Sequence, residues 1–362
     1  MSCEEHSNET KTDTNAINNE NTEDKKFNTD AVESENNTIK KSNNTTDNIQ
    51  ERKNIIEGSL ITDTNTNNVI INTDSTIVKE NVITNPIRKT NLVLSGGGIK
   101  GIVHIGALYG LQSLGCLNDF TTFTGTSVGG VILALYYIGY KPAELYDFIK
   151  LFDLSNLKDI SISNFQEYGL DSGSRLEYVI KRMIHKKGYS ENVTLLELYH
   201  HTKKKIVFTT VCINTMELCY ISHETFPHIP LYLAIKMTTA IPFYYCPVKY
   251  NNFYYVDGGC FDNYPIRKFK NELPNTLGVY IYDIVDVLHE IDNFEQYLFR
   301  LLETFMFGIN YNLVHGYENE TIVIDVKSIN IIDYGIDDKL KDEMFMKGFN
   351  AIINNKKKII KD

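Results

Sequence analysis

Apolar positions are sparse and without period over the first fifty residues, and a regular alternation of apolar runs and amphipathic stretches begins only near Pro86. Residues 91–94 form a short apolar run that ends in glycines, the pattern of a buried strand. Over residues 101–114, Ile102, Ile105, Leu108, Leu111 and Leu114 recur at helical spacing. Residues 120–124 read as a second strand ending at Gly125, and residues 128–140 as an apolar helix. Further helices are predicted over 174–186 and 292–314, and further strands over 206–213, 218–222, 253–256, 276–283 and 321–326. Strands alternating with helices predict an α/β class with a largely parallel sheet.

Composition sharpens this division. Residues 1–88 are rich in Asn, Thr, Glu, Asp and Ser, too polar to offset their ordering entropy by burial, and read as a disordered tail. The tail carries 16 acidic and 9 basic side chains, and the rest of the chain 30 acidic and 27 basic, so the ordered part is nearly balanced. No basic excess points to nucleic acid. The N-terminus lacks a basic start and an apolar segment of signal-peptide type, and the longest apolar run, 131–138, falls far short of the roughly 20 residues that span a bilayer. The expectation is an intracellular chain, cytoplasmic or peripheral to a membrane, with no transmembrane segment. The six cysteines form no CxxC pairs and read as reduced thiols. No metal-binding pattern is present, so neither metal nor cofactor is expected.

Three glycine-marked segments carry candidate chemistry. Ser95-Gly96-Gly97-Gly98-Ile99-Lys100-Gly101 follows a strand and opens a helix. Bare glycine amides and a helix N-terminus form an anion site, for a phosphate or for the oxyanion of acyl transfer. The stretch also fits G-x-G-x-x-G at 96–101, the mark of a nucleotide-binding oxidoreductase. That reading requires an acid closing the second strand, whereas Asp119 precedes it. Gly125-Thr126-Ser127-Val128-Gly129 is G-x-S-x-G between strand and helix, the setting of a nucleophile elbow; a glycine turn with a serine cap is the plainer alternative. Asp257-Gly258-Gly259 ends a strand, on the rim where α/β sheets place their sites, or else forms a hairpin turn.

In this order the three segments resemble the patatin-like phospholipase family, with Ala240-Ile241-Pro242 and Asn263-Tyr264-Pro265 in support; the similarity covers about residues 91–268. The resemblance implies a three-layer α/β/α patatin-like fold over residues 89–362, with residues 270–362 as a C-terminal extension. It implies a lipid acyl hydrolase working through a Ser127–Asp257 dyad. The oxyanion segment comprises Gly96, Gly97, Gly98, Lys100 and Gly101, with the Gly97 and Gly98 amides as donors beside Val128, and Lys100 adding positive potential. The implied partner is a membrane or micellar glycerolipid. A free aspartate is a weak base at neutral pH, so Asp257 is expected to be desolvated, which raises its pKa. The alternative base is a histidine following Asp257: His289 in a loop, or His315, which reads as helical and structural. His104 reads as packing. An acyl chain needs an apolar channel, for which Phe243, Tyr244 and Tyr245 are candidates. The helix over 292–314 has a broad apolar face, suited to core packing or to a lid or membrane contact.

Overall fold

The computed structural model describes residues 89–284, 287–327 and 335–360; the tail expected over 1–88 lies outside the described residues. Apolar β-branched and aromatic runs form five parallel strands in the order β3 (Lys205–Cys212), β2 (Thr122–Thr126), β1 (Asn91–Leu94), β7 (Thr276–Ile284) and β8 (Thr321–Lys327). Strands β4 (Glu217–Ile221) and β6 (Phe253–Asp257) run antiparallel to β3, and β5 (Val248–Tyr250) pairs with β6.

The registers fix where these strands end. On β3, residues 205–209 pair with β2 and residues 210–212 with β6, while β4 pairs across 208–212. Because β4 overlaps both, it occupies the other edge, and β2 and β6 lie end to end along one edge of β3. The last residue of β2, Thr126, sits opposite Thr209, and the last residue of β6, Asp257, opposite Thr210. Two strands far apart in sequence thus point their carboxyl ends at each other.

The helices are α1 (Ile102–Ser113), α2 (Val128–Tyr137), α3 (Pro142–Leu151), α4 (Ser174–Lys186), α5 (Leu195–Thr202), α6 (Leu231–Thr239), α7 (Phe294–Ile309) and α8 (Asp338–Asn354). Strand alternation divides the core between the two sheet faces. Leu92 and Leu94 pack into the main cluster with α1, α2 and α8, whereas Val93 joins Tyr264, Ile266, Phe269 and Leu313 on the other face. That second layer is thin, built from the short 3₁₀ turn Pro265–Phe269 and the segment around Leu313. Helix α1 is apolar over most of its surface because it is buried throughout residues 102–108 and again at Gly110 and Leu111. It meets α8 at mutual glycines: a Cβ on Gly106 would lie 1.9 Å from the Phe345 carbonyl oxygen, and one on Gly348 would lie 1.9 Å from that of Val103.

The pattern located most of these elements, with shifted ends. The second strand runs on to Thr126, and the helix after it stops at Tyr137. His315 is in a turn and exposed, not helical. Helices α3, α5, α6 and α8 and strand β5 were not foreseen. No helix among the described residues is long and apolar enough to cross a membrane.

Candidate active site

Ser127 stands between β2 and α2 with φ 51° and ψ −128°, a conformation rare for a non-glycine residue. The turn is held from several sides. The Ser127 amide donates to Thr238 Oγ1 at 2.9 Å. The Thr126 hydroxyl bonds that of Thr209 and donates to the Asp262 carbonyl at 3.0 Å. Close backbone approach explains the glycines on either side. Gly125 lies under the first turn of α2, and a Cβ on Gly129 would meet the Ser95 carbonyl oxygen at 2.5 Å.

Asp257 is buried to 2% exposure beside this turn. Its carboxylate accepts a hydrogen bond from the Ser127 hydroxyl and one from the Gly259 amide at 2.7 Å. Desolvation raises its pKa to about 6 against the pull of those two bonds. The desolvation expected of Asp257 is therefore present. Asp257-Gly258-Gly259 does not make a hairpin; it leads into a 3₁₀ turn, Gly258–Cys260, packed on Thr209 of β3.

The glycine segment after β1 completes the arrangement. Gly96 lies against Ser127, its amide donating to the Asn263 carbonyl at 3.0 Å. Gly98 has φ 54°, which turns the chain into a short 3₁₀ helix. Among the hydrogen bonds of the described residues, none engages the Gly97 or Gly98 amide. Gly101 packs on Val128 at the start of α2. Lys100 is not turned toward the serine: its buried ammonium pairs with Asp283 of β7, so its charge is spent there.

An apolar cavity of about 140 Å³ opens beside Ser127. Its walls come from α2, α3, α4 and the turn after α3, including Leu135, Leu145, Leu154, Ile180 and Met183. Of the three aromatic residues suggested by the sequence, only Tyr245 lines it. Tyr244 is buried against Phe299, and Phe243 is half-exposed with φ 68°. The channel residues escaped sequence reading because α3 carries no motif and α4 reads as an ordinary amphipathic helix.

The competing readings find less support. His289 is exposed. Asp119 lies in a turn before β2, at the opposite end of that strand from the glycine segment. Sequence reading missed the supporting polar residues Thr209, Thr238 and Asn310, and singled out Asn263 only through the Asn263-Tyr264-Pro265 segment. Asn310, at the end of α7, donates to the Gly259 carbonyl at 3.0 Å and accepts from the Asn263 amide at 3.1 Å. Short polar residues in loops give no signal of the partner they will meet.

Residues 92–270 match the family model described as patatin-like phospholipase. The chain is 33% identical over 181 residues to a probable lipid hydrolase of Invertebrate iridescent virus 6, covering 48% of this chain and 61% of that protein. It is 28% identical over 285 residues to an uncharacterized protein of Acanthamoeba polyphaga mimivirus, covering 75% of this chain and 94% of that one. Among solved structures, VipD from Legionella pneumophila is similar at 15% identity and a TM-score of 0.48, covering 74% of this chain and 66% of that one.

Proposed function

The chain belongs to the patatin-like phospholipase family through residues 92–270, and on that premise we propose that it hydrolyses acyl esters of glycerolipids with Ser127 as nucleophile and Asp257 as base. The observation that carries this reading is the hydrogen bond from the Ser127 hydroxyl to a buried carboxylate at the mouth of an apolar cavity.

Each step rests on the groups present. The acyl chain enters the cavity, which brings its ester carbonyl to Ser127. The Ser127 oxygen attacks that carbon as Asp257 takes the hydroxyl proton. Negative charge develops on the carbonyl oxygen beside the Gly97 and Gly98 amides, which need no reorganisation to meet it. Collapse of this intermediate expels the lipid alcohol, which leaves with the proton held by Asp257, and an acyl-serine remains. Water then attacks the acyl-serine, giving its proton to Asp257; collapse of this second intermediate breaks the bond to Ser127, whose oxygen takes that proton back from Asp257, and the fatty acid departs. A carboxylate of pKa about 6 is a far better base than one of ordinary acidity, and burial provides that difference.

The substrate's setting suits a lipid surface. Leu151, Ile162, Phe165, Met216, Phe294 and Phe305 are all exposed. Leu151 is flanked by Ile149 and Phe152, which pack on the cluster of Ile99, Leu154 and Leu157; Ile162 and Phe165 lie in the following 3₁₀ turn, Met216 between β3 and β4, and Phe294 and Phe305 on α7. Exposed large apolar side chains are a feature of interaction surfaces, here proposed for peripheral contact with a membrane or micelle.

Covalent labelling with a fluorophosphonate tests the assignment. The purified chain is expected to label, Ser127→Ala to lose all labelling, and hydrolysis of a phospholipid panel to disappear with it. Labelling that survives in Ser127→Ala would overturn the nucleophile.

A further inference from the structure

The bonds around the start of the glycine segment depart from the pattern that a parallel sheet dictates. In a parallel ladder the amide of one residue bonds a neighbour's carbonyl, and its own carbonyl accepts from the residue two positions further along that neighbour. Ser95 begins this way, its amide donating to the Val279 carbonyl at 3.2 Å. The next bond should run from the Ile281 amide to the Ser95 carbonyl. Instead the Ile281 amide donates to the Ser95 hydroxyl at 3.0 Å. The Ser95 carbonyl is left free and meets His104 Nε2 at 2.8 Å.

His104 is an unusual occupant of its position. It is fully buried on α1 among Ile102, Val103, Ile105 and Leu108. A carbonyl can only accept, so Nε2 carries the proton, and Nδ1 is left buried with no partner. Burial lowers its pKa to about 4, so the ring is neutral and acts as a hydrogen-bond donor alone. An apolar residue here would avoid the desolvation cost of the second nitrogen. The bond to Ser95 offsets that cost only if the orientation of this carbonyl matters.

We propose that Ser95 and His104 form a positioning pair: the Ser95 hydroxyl replaces its own carbonyl in the ladder, and His104 holds the released carbonyl turned out of the sheet. The same peptide is held at its other end, where the Gly96 amide meets the Asn263 carbonyl at 3.0 Å. A planar peptide fixed at both ends sets the direction in which the chain leaves it. The chain leaves through Gly97-Gly98, a pair that would otherwise sample many conformations. The clamp aims these amides at the site beside Ser127, so the inference rests on Ser127 and the glycine amides acting as proposed above.

The test compares the fluorophosphonate labelling rate, and kcat and KM for a short-chain nitrophenyl ester, in the full chain and in His104→Phe, His104→Gln, Ser95→Ala and the double variant Ser95→Ala/His104→Phe. His104→Phe keeps the shape without the donor, and its labelling rate and kcat are expected to fall roughly 100-fold, the effect of a displacement of about 1 Å at a reacting centre. KM is expected to change far less than kcat, because the cavity walls supplied by α2, α3 and α4 are untouched. His104→Gln, which keeps a donor at similar reach, recovers most of the loss. Ser95→Ala lets Ile281 reclaim the carbonyl and falls similarly, and the double variant is no slower than the slower single one, because both act on one peptide. A purely structural role would lower thermal stability while each folded molecule labels at the wild-type rate, and that result overturns the pair. Multiplicative losses in the double variant overturn it as well. Should His104→Phe not fold, Ser95→Ala and His104→Gln carry the same comparison. A wild-type chain that does not label counts against Ser127 as nucleophile, and the pair falls with it.

Discussion

Asp257 answers two opposing demands, because a carboxylate buried enough to be a useful base is also one whose ionisation the fold resists. Its raised pKa gives the sign of both effects. The proposed mechanism needs the ionised form, so kcat/KM for a soluble ester is expected to rise with pH through about 6 and then level off. A profile flat from about pH 5 to 8 would remove Asp257 as the base. Stability runs the other way. The folded pKa stands above the ordinary value of 3.8, so the contribution of Asp257 to stability is full below that value and is lost as pH rises through about 6. Asp257→Asn is therefore expected to abolish hydrolysis and to gain thermal stability relative to the wild type as pH rises from about 4 to 7, a gain that calorimetry at several pH values would read.

Among the elements, the contact between α1 and α8 is the most constrained. The two glycines let the helix backbones approach until each Cα lies under a carbonyl of the other helix. Gly348→Ala is expected to force them apart at a cost of about 1–3 kcal/mol, the range for overpacking a close contact, read as a lower urea midpoint at unchanged slope. The glycine segment leads directly into the first turn of α1, so a tilt of α1 would reach the site, and a fall in fluorophosphonate labelling would accompany the loss. Helix α8 lies beyond the residues that match the family model, yet it covers the helix that carries the glycine segment. Two of the unforeseen helices did carry local signals. Pro142 opens α3, with Glu144 accepting from the Lys141 amide at 2.7 Å, and Thr194 and Glu197 form a capping box at the start of α5. Both helices are short, ten and eight residues, so the caps gave better evidence than the hydrophobic period.

For the whole molecule, the distribution of exposed apolar side chains leads to a separation of activities. Phe294 and Phe305 lie on the outer face of α7, while Phe299 and Leu302 on the same helix pack inward. Core packing, one of the two readings the sequence allowed for this helix, thus holds for one of its faces, and the exposed Phe294 and Phe305 are left to the proposed membrane contact. Replacing both Phe294 and Phe305 by Asp is expected to weaken sedimentation with phospholipid vesicles by at least tenfold, given about 1.5–3 kcal/mol for each buried aromatic side chain. Turnover of a soluble short-chain ester should remain near that of the wild type. Equal losses on both substrates would place the effect in the site and not in docking.

The sequence by itself determined the class of the fold, the order of its main strands and the three glycine-marked segments, because period, strand–turn–helix context and bare glycines are local properties that a chain displays in its own order. Only the tertiary structure decided that β2 and β6 end against adjacent residues of β3, which brings a hydroxyl and a carboxylate together from 130 positions apart. It alone sent the Lys100 charge to Asp283, formed the cavity from α2, α3 and α4, and turned the Ser95 carbonyl toward His104. Those are matters of register and packing between segments distant along the chain, and no local pattern encodes the partner that a buried polar group will find.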